Sequence, residues 1–206
     1  MAAVYLLPEI DILRQINALC AVGMRPPFIE SLFPSVSKRQ IAETWTHYNG
    51  MRPPRGPLAM SAKASVNSPL RRWHASYLLI VYERLIKAGI GDIDAALGAY
   101  RDYSDTFEQK DLLNFDRAWI IMRRLGCRTE DGITLVTCSH CGSRYAHFVE
   151  ELVDDRNCVV HAYDANSKRI VRNTRGRKGE ESGESTLPYS PRGRVREYKP
   201  AMSAAS

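Results

Sequence analysis

A chain of 206 residues with 44% hydrophobic content is long enough for one packed core and a smaller appendage, and too short for several large domains. No apolar run reaches the roughly 18–20 residues of a membrane span, and the first residues lack the basic segment of a secretory signal, so the expected location is the cytoplasm, with no membrane partner. The net charge of +6 is uneven: residues 1–167 carry 19 Lys+Arg against 19 Asp+Glu, and residues 168–206 carry 10 against 4, which makes a neutral body with a basic arm suited to nucleic acid without requiring it.

Ile10, Leu13, Ile16, Leu19 and Cys20 recur at helical spacing and predict a first helix from Pro8 to about Ala21, stopped by Gly23. Pro26-Pro27 then opens a short second helix through Phe28, Ile29, Leu32 and Phe33, closed by Pro34. Ser37 is the natural N-cap of a third, Lys38 to about Tyr48, burying Ile41 and Trp45 and ending near Asn49-Gly50. Three short helices with tight turns form a helix-turn-helix-like unit over residues 10–49, made less regular than DNA-binding versions by its prolines.

Residues 50–69 contain Pro53, Pro54, Pro57 and Pro69 and few large apolar groups, and read as an extended clasp. From Pro69 to Ala88 the side chains Trp73, Tyr77, Ile80, Val81 and Leu85 predict one buried stripe; Asp92 is expected to cap a shorter helix through Ile93, Ala96, Leu97 and Tyr100. A further helix opens near Asp111, burying Leu112, Phe115, Trp119, Met122 and Leu125 before Gly126. Ile133, Leu135 and Thr137 then alternate as a strand does, and Arg144 to Val149 alternates again. From Lys168 the chain is rich in Arg, Gly, Ser and Pro and is expected to be disordered. The fold class that follows is mainly α: a helical body over 1–130, a small zinc-ribbon-like β element over 131–167, and a basic tail over 168–206.

The cysteines carry the chemistry. Five is an odd number and three are clustered, which suits a metal site in a reducing compartment better than a disulfide framework. Cys20 and Cys127 are left over and are expected to be buried as small hydrophobes. Cys138-x2-Cys141, followed after 16 residues by Cys158-x2-His161, gives two knuckles at the spacing that closes a tetrahedral zinc shell, with Gly142 helping the chain reverse. Four protein ligands leave no open position, so the expected Zn2+, one per chain, is structural rather than catalytic. His140 and His147 compete for the fourth position, and a redox dithiol is the rival reading, although no helix N-terminus in a strand-helix unit supports it. Phosphate-binding glycine loops, Gly-x-Ser-x-Gly and His-Glu-x-x-His are absent from the sequence, as is the His-x-Glu of zinc deaminases, so no enzyme is expected.

Taken in order, Ser37-Lys-Arg-Gln-Ile-Ala-Glu-Thr-Trp45, Gly50-Met-Arg-Pro-Pro-Arg-Gly-Pro-Leu58, Trp73-His-Ala-Ser-Tyr77, Ala95-Ala-Leu-Gly-Ala-Tyr-Arg-Asp-Tyr103, Arg117-Ala-Trp119 and the two knuckles resemble the C subunit of the bacterial flagellar master transcriptional regulator, over about residues 8–165. The resemblance implies a mostly helical protein with a C-terminal zinc cluster on Cys138, Cys141, Cys158 and His161. It implies a heterohexamer of four D and two C subunits that binds promoter DNA upstream of flagellar operons and recruits RNA polymerase. His161 departs from the pattern, because cysteine is the expected residue there, but histidine is an ordinary zinc ligand at that spacing. The resemblance does not say which residues touch DNA. From chemistry alone the candidates are Lys38 and Arg39 of the third helix, Arg52 and Arg55 of the clasp, and Arg144 beside the cysteines. The rival reading is a zinc-containing protein-interaction module whose tail touches nucleic acid non-specifically.

Overall fold

The computed structural model describes residues 3–58, 61–107, 112–151 and 158–161, and for residues 3–8 the backbone alone. The chain divides into two units, Met1–Arg169 and Ile170–Ser206. All described residues lie in the first; the tail expected to be disordered falls outside them. The order is α1 (Ala3–Ala21), α2 (Pro26–Leu32), α3 (Lys38–Asn49), α4 (Ala62–Ser65), α5 (Pro69–Lys87), α6 (Asp92–Thr106), α7 (Phe115–Arg123), β1 (Ile133–Thr137) and β2 (Arg144–Phe148). The protein is therefore mainly helical with one two-stranded antiparallel sheet. None of its described helices is long and apolar enough to cross a membrane.

Local chemistry explains most boundaries. Ser37 Oγ accepts from the Gln40 amide at the start of α3, and Gly50 ends it in the left-handed region at φ 68°, its amide bonding Thr46 O. Ser68 caps α5 ahead of Pro69 at the first helical position. Asp92 is the first residue of α6 rather than its cap: Gly91 occupies the cap position, and Asp92 and Asp94 favour the helix by their charge in the first turn. The last helix opens at Phe115 rather than near residue 111, which lies outside the described residues, because Asn114 Oδ1 accepts from the Arg117 amide. The clasp is not extended throughout. Ser61 caps the single turn α4, which buries Ala62 and leads into buried Val66.

The apolar patterns were harder to place. In α1 the core side chains are Ile16, Leu19 and Cys20, whereas Ile10 and Leu13 are 60% and 43% exposed, so among the described side chains burial falls in the second half of the helix. The α5 stripe expected from Trp73 to Leu85 is only half-buried, and the fully buried positions are Ala75, Leu78 and Leu79 with His74, Ser76 and Tyr82 beside them. The reason is that α5 is central: it packs on α6, α7 and β2, so no single stripe faces all its partners. Cys20 is buried as expected. Cys127 is only half-buried, since it lies in the turn after α7, with Sγ 3.3 Å from Arg123 O. That turn needs Gly132, where a Cβ would meet Cys127 O at 2.0 Å.

Burial shifts the titration of His74. His74 is 4% exposed, its Nδ1 lies 2.9 Å from Tyr103 Oη, and its ring packs 4.2 Å from that of Phe107. Burial lowers its pKa below the ordinary value of 6.5. The unfolded chain therefore takes up a proton on this residue that the folded chain refuses. Stability from this source is full above pH 6.5 and falls as the pH drops below it, at up to about 1.4 kcal/mol per pH unit until the folded-state value is reached. An NMR titration of the imidazole resonances is expected to give His74 a midpoint below 6.5.

Candidate metal centre

The β-hairpin is a partition. Alternation places Ile133 and Leu135 of β1 and Ala146 and Phe148 of β2 against the main core, while Val136 and Tyr145 face a second, smaller cluster made with Cys138, Cys158 and Val159. Cross-strand register keeps the faces consistent: Ile133 pairs with Phe148, Leu135 with Ala146, and Val136 with Tyr145. β2 is accordingly buried on both faces from Tyr145 to Phe148 and stops there, leaving Val149 46% exposed.

The hairpin turn is the first knuckle. The Cys138 amide donates to Ser143 O at 2.9 Å and the Gly142 amide to Cys138 O at 3.0 Å, with Gly142 at φ 70°, where a side chain would strain the backbone. The second knuckle starts at fully buried Cys158 and continues through helical backbone to His161. Together they bring Cys138, Cys141, Cys158 and His161 so close that one ligand atom from each lies within 4.8 Å of all the others. Cys138 Sγ is 3.8 Å from His161 Nδ1, and Cys141 Sγ is 3.6 Å from Cys158 Sγ. For metal–sulfur bonds of about 2.3 Å a tetrahedron has S···S edges of about 3.8 Å, so the four atoms fit around one ion.

The surroundings favour a thiolate at Cys141. The Ser143 hydroxyl and amide bond the Cys141 sulfur and, with smaller contributions from Cys138 and Cys158, bring its pKa down to about 6. Burial pushes the Cys158 thiol up, while the His161 and Val160 amides donate to its sulfur and pull the other way. Cys141 is exposed and Cys138 and Cys158 are buried, so the cluster sits at the surface with two ligands rooted in the interior. His140 is exposed, its ring centroid 6.0 Å from that of His161, and His147 is buried on β2; neither is in the converging group.

Several residues that hold this element on the body carry no sequence signal. Ser76 Oγ of α5 accepts from the Ala146 amide at 2.9 Å, satisfying a buried donor on β2. Arg72 clasps Glu151 through two bonds of 2.9 and 3.0 Å and lies over the Phe148 ring. Lys63 pairs with Glu150 at 3.0 Å, and Trp73 packs against the cysteine cluster. Arg144 also belongs to this docking: it meets Glu83 at 2.8 Å, and the guanidinium, with Lys87 beside it, keeps the Glu83 carboxyl below its usual range. These partners are 61 to 87 positions apart in the chain, beyond the reach of any local pattern.

The other basic candidates are not brought to the metal centre. Lys38 pairs with Glu30 at 3.3 Å and Arg39 with Glu43 at 2.8 Å. Arg52 and Arg55 are exposed and make no ion pair among the described residues.

The family described as Flagellar transcriptional activator (FlhC) matches residues 1–175. The chain is similar to the flagellar transcriptional regulator FlhC of Cupriavidus pinatubonensis, 30% identical over 163 residues, covering 75% of this chain and 73% of the relative. It is 28% identical over 160 residues to FlhC of Enterobacter cloacae, covering 75% and 81% of the two chains. FlhC of Gallionella capsiferriformans is 24% identical over 135 residues, covering 61% and 70%.

Proposed function

Because the chain belongs to the FlhC family of flagellar transcriptional activators, a family of regulators and not of enzymes, we propose that it is the zinc-bearing, DNA-binding subunit of a heteromeric regulator. It binds promoter DNA upstream of flagellar operons and recruits RNA polymerase, in the cytoplasm, after assembling with a D-type subunit into a complex of four D and two C chains. The observation that carries this reading is the Cys3His cluster within a chain matched by the family over residues 1–175.

Cys138, Cys141, Cys158 and His161 hold Zn2+, and the ion is structural, because four protein ligands occupy a tetrahedral shell. Three thiolates and a divalent ion leave one negative charge, which amides of the two knuckles offset by donating to sulfur. The clamp fixes the hairpin, residues 131–167 act as one metal-dependent element on the helical body of residues 1–130, and the basic arm from Lys168 adds non-specific attraction to DNA.

Footprinting of a flagellar promoter with the chain alone, the D-type subunit alone and the two together tests the proposal. Protection that requires both is expected. Protection that is sequence-independent and unaffected by the second subunit favours an interaction module with a basic arm instead.

A further inference from the structure

From Thr44 to Tyr82 the sequence contains no Asp or Glu and five cations, Arg52, Arg55, Lys63, Arg71 and Arg72. Three are engaged within the protein: Lys63 with Glu150, Arg72 with Glu151, and Arg71 with the Asn67 side chain. Arg52 and Arg55, the two on the proline clasp, are exposed and pair with no carboxylate among the described residues. Beside them the surface also presents Tyr48 and Met51, 47% and 65% exposed.

The clasp is pinned at both ends to neighbouring points in the chain, the last turn of α1 and the cap residue of α2. At its start, Asn49 Nδ2 donates to Cys20 O at 3.0 Å and to Trp45 O at 2.9 Å. At its end, Arg25 Nη1 donates to Pro57 O at 3.1 Å. Arg25 is itself immobilised: Nε lies 2.6 Å from Asp116 Oδ2, and its backbone amide donates to Oδ1 at 3.0 Å. Asp116 is 4% exposed in the first turn of α7. Pro53, Pro54 and Pro57 restrict φ between the two anchors. A run of this kind, held at both ends, presents its side chains without the ordering cost that a free loop incurs on binding.

We propose that residues 49–57 form a preorganised arch whose Arg52 and Arg55 contact the phosphate backbone of duplex DNA, with Arg25 as the positioning residue that holds it. The inference rests on the DNA-binding reading above and adds a surface to it. Arginine suits the role, since its planar fork meets phosphate oxygens bidentately and stays charged at any working pH. Lys38, Arg39 and Arg144 are each satisfied by a carboxylate of the chain itself, so reaching for phosphate would cost them an existing pair.

The test uses the full chain assembled with its D-type subunit and a promoter duplex, with affinity measured across a salt series. The Arg52→Ala/Arg55→Ala protein is expected to bind more weakly and to lower the slope of log affinity against log salt by about 1.8, two phosphate contacts at roughly 0.9 each. Arg25→Lys keeps a cation beside Asp116 but loses the reach to Pro57 O; it is expected to weaken binding roughly threefold to tenfold. Combined with the clasp substitutions it should add nothing further, because both act through the same two contacts. Should Arg25→Lys unfold, Pro53→Ala/Pro54→Ala loosens the arch without touching the core and is expected to give the same non-additive loss. An unchanged salt slope in Arg52→Ala/Arg55→Ala, with the wild-type footprint intact, overturns the arch while leaving the DNA-binding reading standing. Additive losses overturn the positioning role, and absence of any wild-type footprint defeats the underlying reading instead.

Discussion

Replacing Cys158 with serine, or stripping the metal with a chelator, is expected to melt the hairpin from Ile133 to Phe148 and to weaken the helical body without unfolding it. A two-stranded hairpin is marginal by itself in water, and two of the anchors beside it, the buried Cys138 and Cys158, belong to the knuckles that the metal closes. Structural zinc is worth about 10–16 kcal/mol in zinc-finger peptides, whose folding depends on the metal. The body is affected as well, since Ile133, Ala146 and Phe148 belong to its core. Uncovering Phe148 alone costs about 3–5 kcal/mol if the site does not collapse. Hydrogen exchange should show the loss of protection in β1 and β2 and its retention in α5 and α6. Of the three tryptophans, Trp73 packs on the cysteine cluster whereas Trp45 and Trp119 lie in the main core, so a change in fluorescence on chelation that disappears in Trp73→Phe reports the same event. Unchanged protection of the strands after the metal is removed would contradict the clamp.

The second large effect is expected at Asp116, whose carboxylate is buried and accepts both the Nε and the backbone amide of Arg25. Asp116→Ala leaves a guanidinium that is only 15% exposed without its counter-charge and orphans a backbone donor. The expected loss is about 3–5 kcal/mol, which for a chain of this size lowers the melting temperature by roughly 6–20 °C. Arg25→Met together with Asp116→Leu should recover much of it, because the penalty comes from stranding one charge rather than from losing the pair. If Asp116→Ala melts within 2 °C of the wild type, the pair does not anchor α7 to the α1–α2 turn as described.

The parts of this protein that could be read from sequence are those that short-range chemistry determines. Ser37, Gly50, Pro69 and Gly126 punctuate the helices where caps, first-turn prolines and left-handed glycines must fall, and the spacing of Cys138, Cys141, Cys158 and His161 encodes the converging cluster because ligand geometry constrains spacing tightly. The face that each helix buries was much less legible. Helix α5 is surrounded by α6, α7 and β2, so its apolar residues do not mark one side, and Ser76, on which periodicity is silent, satisfies a buried amide of β2. Arg144 is a candidate DNA contact by its chemistry alone, yet it is committed to Glu83, and Arg25 and Asp116 give no hint of each other across 91 positions. Within the clasp, residues 52–55 form neither helix nor strand, and the turn α4 was hidden because four residues are too few to show a period.

X-ray absorption at the zinc edge of the purified full-length protein tests the central claim most directly, because it counts the ligands of the ion itself. The expected first shell is three sulfurs at about 2.3 Å and one nitrogen at about 2.0–2.1 Å, losing its nitrogen in His161→Ala and keeping it in His140→Ala and His147→Ala. A shell containing water oxygen, or one whose nitrogen survives His161→Ala, would contradict a closed structural clamp on Cys138, Cys141, Cys158 and His161.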